Sequence, residues 1–155
     1  MKTFEAVVMG AGVFGAWIAL HLRRSGRTVA LVDPYGAGNS RSSSGGESRI
    51  MRMGYGADEV YTQWALRSRQ HWTEVFDQVK RPELFQKTGV LWTPRPGDPR
   101  AATTQAIFEK CGVAFHRLTS SDVKLSFPSC VFVRNAWACS SRSPVSCSRG
   151  ERSRR

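Results

Sequence analysis

The sequence predicts an α/β fold that begins with two parallel strands, and three observations predict it. The apolar segment Val7–Met9 runs into a glycine-rich turn and then into a helix predicted from about Phe14 to Arg24. The segment Thr28–Val32 is β-branched and apolar enough for a buried parallel strand. An acidic residue, Asp33, follows it directly. This order of strand, glycine turn, helix, strand and acid predicts a Rossmann-like dinucleotide-binding unit.

Each glycine of the turn has an expected task. Gly10 permits the tight turn, Gly12 lets backbone amides approach a pyrophosphate, and Gly15 lets the helix pack closely on the strand. The helix start at Val13 and Phe14 supplies N–H groups and the positive end of the helix dipole, which attract phosphate. The alternative, glycines that serve only a turn, is less favoured because the flanking strand, helix and acid all agree.

Asp33 discriminates among cofactors. A carboxylate at this strand end accepts hydrogen bonds from an adenosine ribose and repels the 2′-phosphate of NADP, so FAD and NAD remain. The loop that follows, residues 34–49, is polar and rich in glycine and serine. It offers amides, hydroxyls and a guanidinium to a phosphate or a flavin, although composition alone favours a flexible linker.

A long helix is predicted from about Asp58 to Val79. Its apolar side chains recur near helical spacing and are expected to form one face that covers the sheet; they are Tyr61, Trp64, Ala65, Trp72, Val75, Phe76 and Val79. The tryptophans could instead stack on a ring or a base, but aromatic residues at helical spacing belong more often to a core.

The next predicted strand, Thr88–Thr93, lies between two proline-containing breaks and indicates the entry to a second domain. Asp98 suits the N-cap of a helix that runs to about Lys110, with Gly112 after its end. The apolar segment Val113–Phe115 predicts another strand.

A short capped helix is predicted after that strand. Thr119 is followed three residues later by Asp122, which is the spacing of a capping box, and the helix is expected to end at Phe127-Pro128.

The segment Ser43–Gly56, Ser-Ser-Gly-Gly-Glu-Ser-Arg-Ile-Met-Arg-Met-Gly-Tyr-Gly, carries a resemblance to a known family. Set behind a dinucleotide motif, it resembles the amino-terminal part of the monomeric sarcosine oxidase and N-methyltryptophan oxidase group, within the D-amino-acid oxidase-like FAD enzymes. The likeness continues through Glu59–Tyr61, Ala65–Ser68, Trp72, Thr88–Trp92 and Leu125–Pro128, and covers about residues 4 to 128.

The resemblance implies a glutathione-reductase-like FAD-binding fold, incomplete in this chain, with the start of an α+β substrate domain. Residues 1–80 would form the FAD-binding βαβ unit and the following helix, and residues 81–128 the beginning of the substrate domain. Residues 129–155, which hold six arginines, seven serines and three of the four cysteines, would be a non-family tail and are expected to be disordered.

The same resemblance implies roles for individual residues. The ADP half of FAD would be held by the glycine motif and the acid, that is by Gly10, Gly12, Val13, Phe14, Gly15 and Asp33. The stretch with Ser43, Ser44 and Arg49 would run beneath the flavin, and Arg52 would pair with a substrate carboxylate, which a planar guanidinium binds bidentately. Without the resemblance, Arg49 and Arg52 would be interpreted as solvated surface charges. Sarcosine oxidases often have a histidine where this chain has Gly45 or Gly46.

The implied reaction is oxidation of an N-methyl or secondary amino acid by oxygen, with FAD as the cofactor, to an imine and hydrogen peroxide. The substrate would be a small amine or amino acid, and this chain alone is expected to bind FAD weakly and to be catalytically incomplete. Two alternatives stay open, a fragment of an NAD-binding dehydrogenase and a non-enzymatic basic protein that binds nucleic acid.

Of the net charge of +11, residues 1–128 carry +6 and the short tail carries +5, so the tail is a basic segment that could contact phosphates. A change of reading frame near residue 129, giving a truncated oxidase, is the preferred explanation, so no nucleic-acid partner is expected. No segment reaches the length of a membrane span, and a cytoplasmic location is expected. His71 and the cysteines lack partners at metal spacing, so no metal site is predicted. The oligomeric state is left open.

Overall fold

A computed structural model describes residues 2–95, 97–129 and 135–139. The chain divides into two compact units, residues 1–50 and residues 51–155, and each is described by itself.

The first unit is a β–α–β element. Strand β1 spans Ala6–Met9, helix α1 spans Val13–Arg24, and strand β2 spans Val29–Val32. The two strands pair in parallel, with Ala6 opposite Val29 and Met9 opposite Val32. This arrangement confirms the α/β class with parallel strands.

Helix α1 ends as the sequence predicts. Gly26 has a φ of +88°, in the left-handed region that glycine tolerates best. The amide of Arg27 donates to the Leu22 carbonyl at 3.1 Å and that of Gly26 to the Arg23 carbonyl at 3.0 Å, the pair of bonds that defines a Schellman motif. The chain therefore turns sharply out of the helix and into β2.

The expected burial of β2 is wrong. Leu31 is 40% exposed and Val32 is 52% exposed. In the described part of the first unit the buried residues are Val8, Ala11 and Ala19. One helix covers at most one face of a two-stranded sheet, so the other face stays open to solvent.

The second unit combines an antiparallel sheet with helices. In chain order it contains α2 (Glu59–Gln78), a short 3-10 helix (Pro82–Leu84), β3 (Val90–Trp92), α3 (Pro99–Lys110), β4 (His116–Thr119), α4 (Ser120–Ser126) and β5 (Asn135–Cys139). Strand β5 lies in the middle of the sheet, between β3 and β4, and is antiparallel to both. The predicted helices of this unit all form, with ends close to those expected.

Two apolar clusters form the core of this unit. The first joins α2 and α3 with the segments before and after them, through Met53, Ala65, Phe108 and Val113. The second lies under α4 and consists of Leu118 and Val123, with Leu91 and Phe127 packed against them. A salt bridge between the Lys110 ammonium and the Glu59 carboxylate, 2.5 Å long, adds a polar link between α3 and α2.

The strand predicted at Val113–Phe115 is wrong, since β4 begins at His116. The reason lies in the end of α3. Gly112 has a φ of +67°, and the amide of Val113 donates to the Phe108 carbonyl at 2.8 Å. This is a second Schellman motif, so the amide of Val113 closes a helix and the side chain enters the core.

The buried face of α2 matches the expected one at Ala65 and differs from it at Tyr61 and Trp64. Tyr61 is 48% exposed and Trp64 is 59% exposed, whereas Thr62 is 0% exposed and Ala65 is 8% exposed. The Thr62 hydroxyl donates to the Met53 carbonyl at 2.9 Å, which turns the Thr62–Ala65 side of the helix toward the segment before it. The aromatic side chains at neighbouring positions therefore point away from that core.

The structure divides into compact units at residue 50, with α2 sharing a core with α3, whereas the sequence predicts one FAD-binding unit over residues 1–80. Within the stretch expected to be disordered, residues 135–139 form the central strand β5. Most of the remaining tail, residues 130–134 and 140–155, lies outside the described residues. No helix in the described ranges combines the length and the apolarity that crossing a membrane requires.

Candidate cofactor-binding site

The turn between β1 and α1 is held by its glycines. Gly10 has a φ of +95°, and its amide donates to the Val32 carbonyl at 2.7 Å, which joins the turn to the end of β2. A Cβ atom at Gly15 would lie 1.8 Å from the Gly10 carbonyl oxygen. A side chain at Gly15 is therefore incompatible with this turn, which agrees with the close packing of helix on strand that the glycine pattern predicts.

The packing around Gly12 is less restrictive. A Cβ atom there would lie 3.6 Å from the Ser42 Cβ and 3.9 Å from the Ser44 Oγ, both ordinary van der Waals distances. Packing within the protein therefore does not require glycine at this position. The space above Gly12 lies at the start of α1, where a phosphate would need to approach the backbone, so the turn fits a bound diphosphate.

The start of α1 presents amide donors. Gly12 occupies the N-cap position and has no side chain to cap the helix. The amide of Val13 donates to the Ser44 hydroxyl at 3.3 Å, and the amides of Phe14 and Gly15 lie in the first turn, where no carbonyl precedes them in the helix. Phe14 is 84% exposed, and what it contributes to the helix start is its backbone amide. A helix start of this kind attracts an anion.

Asp33 is bound to the same turn. One carboxylate oxygen accepts a hydrogen bond from the Ala11 amide at 2.8 Å, and the other accepts one from the Tyr35 amide at 2.8 Å. These bonds, with the Ala11 bond the larger contribution, hold the pKa of Asp33 below its usual value. The half-buried carboxylate is therefore ionised at neutral pH, and its remaining lone pairs can accept hydrogen bonds from the hydroxyl groups of a ribose.

The glycine- and serine-rich loop folds over this turn and is not an extended linker. Its centre is Asn39, whose side-chain amide donates to an Asp33 carboxylate oxygen at 3.3 Å and to the Gly36 carbonyl at 2.8 Å. The Ser42 amide donates to the Asn39 carbonyl at 3.2 Å, and the next turn carries Ser44 to the helix start. Ser42 and Ser44 thus lie next to Gly12, with their hydroxyl oxygens 3.5 Å apart.

Ser43, which lies between Ser42 and Ser44, and Arg49, farther along the same loop, are both exposed. The Arg49 guanidinium donates to the Ser48 carbonyl at 2.6 Å and to the Ser43 carbonyl at 3.4 Å. In this conformation Arg49 stabilises its own loop, and Ser43 contributes its carbonyl oxygen to that contact.

Arg52 belongs to the second unit, whereas the glycine turn, Asp33, Ser44 and Arg49 belong to the first. It is exposed, and its guanidinium carbon lies 5.3 Å from the ring centroid of Tyr55. The Tyr55 ring lies 5.7 Å from that of Tyr61, which contacts Trp64 edge-on at 5.7 Å. The arginine therefore lies at one end of a series of three aromatic rings.

Sequence reasoning missed two features of the site. It did not single out Asn39, and it did not find that backbone amides of Ala11 and Tyr35 bind Asp33. A signal for the first was present, since an asparagine in a glycine-rich loop often bonds the backbone two residues later, and here its side-chain oxygen accepts from the Arg41 amide at 3.0 Å. Of the two bonds to Asp33, the one from Ala11 joins residues 22 apart in the sequence, whereas the one from Tyr35 is a local turn two residues long.

Comparison with curated proteins gives similar sequences with related names. The chain is 32% identical over 131 residues to a peroxisomal sarcosine oxidase of Mus musculus. The match covers 84% of this chain and 33% of that protein. The chain is 29% identical over 128 residues to a monomeric sarcosine oxidase of an Arthrobacter species, a match that covers 82% and 33%. An N-methyl-L-tryptophan oxidase of Escherichia coli is 26% identical over 88 residues, 57% of this chain and 24% of that protein. The chain spans about a third of the length of the first two relatives.

Solved structures share the fold. L-proline dehydrogenase from P. horikoshii superposes with a TM-score of 0.71 at 23% identity, over 90% of this chain and 37% of that chain. The amino acid oxidase NikD gives a TM-score of 0.67 at 20% identity, over 89% and 35%. The model of the FAD-dependent oxidoreductase family matches residues 5–144, so the likeness continues past Pro128 and through β5. With its glycine turn, its strand-end acid and a match over most of its length, the chain belongs to the DAO family of FAD-dependent oxidoreductases.

Proposed function

We propose that the first unit binds the ADP half of FAD, and that the chain is part of an oxidase of N-methyl or secondary amino acids. The observation that supports the binding site most directly is the bond between the Ala11 amide and the Asp33 carboxylate, 2.8 Å long. This bond fixes a ribose acceptor beside the glycine turn that leads into α1. The acceptor for the ribose and the helix start for the diphosphate are thereby held next to each other.

Each residue of the proposed site has a defined task. The carboxylate of Asp33 accepts the ribose hydroxyls, and the amides of Val13, Phe14 and Gly15 face the diphosphate. The Ser44 hydroxyl, which accepts from Val13 in this structure, can rotate and donate to a phosphate oxygen. Gly10 and Gly12 keep side chains away from the space that the phosphates need.

The remaining residues of the proposal come from the resemblance to the sarcosine oxidases. Ser43 and Arg49 belong to the stretch that would run beneath the flavin, and Arg52 would bind the substrate carboxylate. A guanidinium is suited to this because it presents parallel N–H donors to both carboxylate oxygens. In the proposed reaction FAD supplies a two-electron acceptor, the substrate amine becomes an imine, and oxygen becomes hydrogen peroxide.

The names of the relatives support this substrate class, since two of them are called sarcosine oxidase and one N-methyl-L-tryptophan oxidase. Sarcosine and N-methyltryptophan share a carboxylate and a secondary N-methyl amine. We propose that these 155 residues alone bind FAD weakly and turn over no amine, because they span about a third of the relatives.

The test is a titration of the purified chain with FAD, followed by the visible absorbance of the flavin. Binding with a shifted flavin spectrum is the expected result, and NAD in its place should compete weakly or not at all. Soluble, folded protein that leaves the FAD spectrum unchanged would remove the support for a cofactor site in these residues. Peroxide production with sarcosine or N-methyltryptophan would contradict the proposed lack of turnover.

We also propose that the protein acts in the cytoplasm. What supports this is that the first apolar run of the chain forms strand β1 of the proposed cofactor unit. Relatives with a peroxisomal name make the peroxisome the main competing location, and imaging of the tagged protein distinguishes the two.

A further inference from the structure

Asn39 connects the two halves of the proposed ADP site. Its side-chain amide donates to the Asp33 carboxylate at 3.3 Å and to the Gly36 carbonyl at 2.8 Å. Its side-chain oxygen accepts from the Arg41 amide at 3.0 Å, and the residue is half-buried. All three hydrogen bonds therefore act on the same short loop, and one of them reaches the acid that would bind the ribose.

The backbone of Asn39 starts the turns that carry the serines. Its carbonyl oxygen accepts from the Ser42 amide at 3.2 Å and from the Ser42 hydroxyl at 2.9 Å. The Ser42 carbonyl then accepts from the Gly45 amide at 2.9 Å, which closes the next turn. Ser44 lies within this second turn and meets the first amide of α1.

The loop is closely packed where it folds back. A Cβ atom at Gly45 would lie 2.5 Å from the Asn39 carbonyl oxygen and 2.9 Å from the Ser40 Cα. Both are backbone atoms, so a side chain at position 45 would displace the turn. This packing leaves the serines few alternative positions as long as Asn39 is held.

We propose that Asn39 is the positioning residue that sets the Ser42–Ser44 turn against the phosphate-binding start of α1, using Asp33 as its anchor. The inference rests on the proposed FAD site and adds to it a residue that touches neither phosphate nor ribose. A ligand with phosphates depends on this arrangement, whereas a nucleoside needs only Asp33 and its neighbours. Loss of Asn39 should therefore weaken diphosphate binding selectively.

The experiment is a calorimetric titration of the full chain with ADP and, separately, with adenosine. The variants are Asn39→Ala and Asn39→Leu; the second keeps a side chain of similar size without adding a charge and loses the donors to Asp33 and Gly36 and the acceptor for the Arg41 amide. Ser40→Ala is the matched control, since Ser40 is an exposed neighbour outside these bonds. We expect ADP to bind about ten-fold more weakly to both Asn39 variants, adenosine to change by less than about two-fold, and the control to behave as wild type.

Amide hydrogen exchange at Val13, followed by NMR without ligand, gives a second measurement. It should be faster in Asn39→Ala, because the Ser44 hydroxyl no longer stays at the helix start. Equal losses for ADP and adenosine would assign Asn39 a general structural role and overturn the inference, and so would unchanged ADP binding. A folded wild-type chain that binds neither ligand would overturn the FAD site itself, an outcome distinct from the other two.

Discussion

Three glycines lie in the turn before α1 and in the first turn of that helix, but different physical requirements hold them in place. Gly10 needs a positive φ, Gly15 leaves no room for a Cβ atom, and Gly12 has neither restriction in the protein alone. The proposed diphosphate site gives Gly12 a reason to be small that packing among the described residues does not. This contrast gives a test of whether the turn is built for a ligand.

We expect Gly15→Ala to unfold the first unit and Gly12→Ala to leave it folded with weaker FAD binding. The first change places a Cβ atom 1.8 Å from the Gly10 carbonyl oxygen, whereas the second makes ordinary contacts at 3.6 Å. Thermal unfolding followed by circular dichroism, together with FAD titration, separates the two effects. If Gly12→Ala bound FAD as tightly as wild type, the space above Gly12 would not be a phosphate site.

The ionisation of Asp33 predicts how binding depends on pH. The amides of Ala11 and Tyr35 lower its pKa from a usual value of about 3.9. A carboxyl group with a lowered pKa stabilises the fold above its unfolded pKa, and that contribution is lost as the pH falls through the folded pKa. Because the ionised carboxylate is also the proposed ribose acceptor, FAD binding should be insensitive to this group between about pH 5 and pH 8. It should weaken only in more acidic solution, where Asp33 is protonated.

Asp33→Asn provides the comparison for that profile. An asparagine cannot accept hydrogen bonds at both side-chain atoms, so one of the two amides loses its acceptor. We expect FAD to bind about ten-fold more weakly to this variant at pH 7, with the acid-dependent step of the wild-type profile reduced. Titrations at several pH values measure both effects. A variant with wild-type affinity would mean that the carboxylate takes no part in binding.

At the scale of elements, the ends of the helices are determined locally. Asp98 accepts a hydrogen bond from the Arg100 amide at the start of α3, and Thr119 with Asp122 forms a complete capping box at the start of α4. The Schellman motifs after α1 and α3 close at Gly26 and Gly112. All of these bonds join residues a few positions apart, which is why short sequence patterns locate them.

Thr119→Ala should destabilise the second unit by about 1 kcal/mol, because α4 loses the side-chain acceptor of its first turn. Ser121→Ala is the control, since it changes an exposed serine of the same helix that is not its cap. Chemical denaturation of both variants measures the free energy of unfolding. Equal stability of the two variants would show that the capping box contributes nothing to the unit.

The faces of α2 show what local pattern does not determine. Its apolar residues recur at helical spacing, yet the buried positions are Thr62 and Ala65, while Tyr61 and Trp64 are exposed. The choice is made by the segment before the helix, whose Met53 carbonyl accepts from the Thr62 hydroxyl. Helical periodicity identifies a face, but the partner that covers it comes from another part of the chain.

At the scale of the whole molecule, the first unit leaves much apolar surface uncovered. The exposed side chains lie on both strands and on α1, and include Val7, Met9, Phe14, Ile18, Leu31 and Val32. A two-stranded sheet with one helix is too small to bury its second face, and exposed apolar patches of this kind promote association. The uncovered surface agrees with a chain that spans about a third of its relatives.

We expect the purified chain to self-associate as its concentration rises, and Val7→Thr together with Met9→Thr to reduce this. Val7 is 62% exposed and Met9 is 87% exposed, so neither substitution buries a hydroxyl group. Val8→Thr is the matched control on the same strand, because Val8 is 9% exposed and the change should destabilise the unit. Sedimentation velocity and thermal unfolding distinguish the outcomes. Association unaffected by the paired change would exclude this strand face as its cause.

The sequence by itself determined the β–α–β order, the glycine turn, the strand-end acid and the helix ends, because each depends on residues that are near one another in the chain. It also carried the family resemblance, which the match over residues 5–144 confirms. Only the tertiary structure decided the buried face of α2 and the position of β5 in the middle of its sheet. It alone brought the Ala11 amide to Asp33. These features depend on contacts between distant segments, where packing and hydrogen bonding override the preferences that a short stretch of sequence expresses.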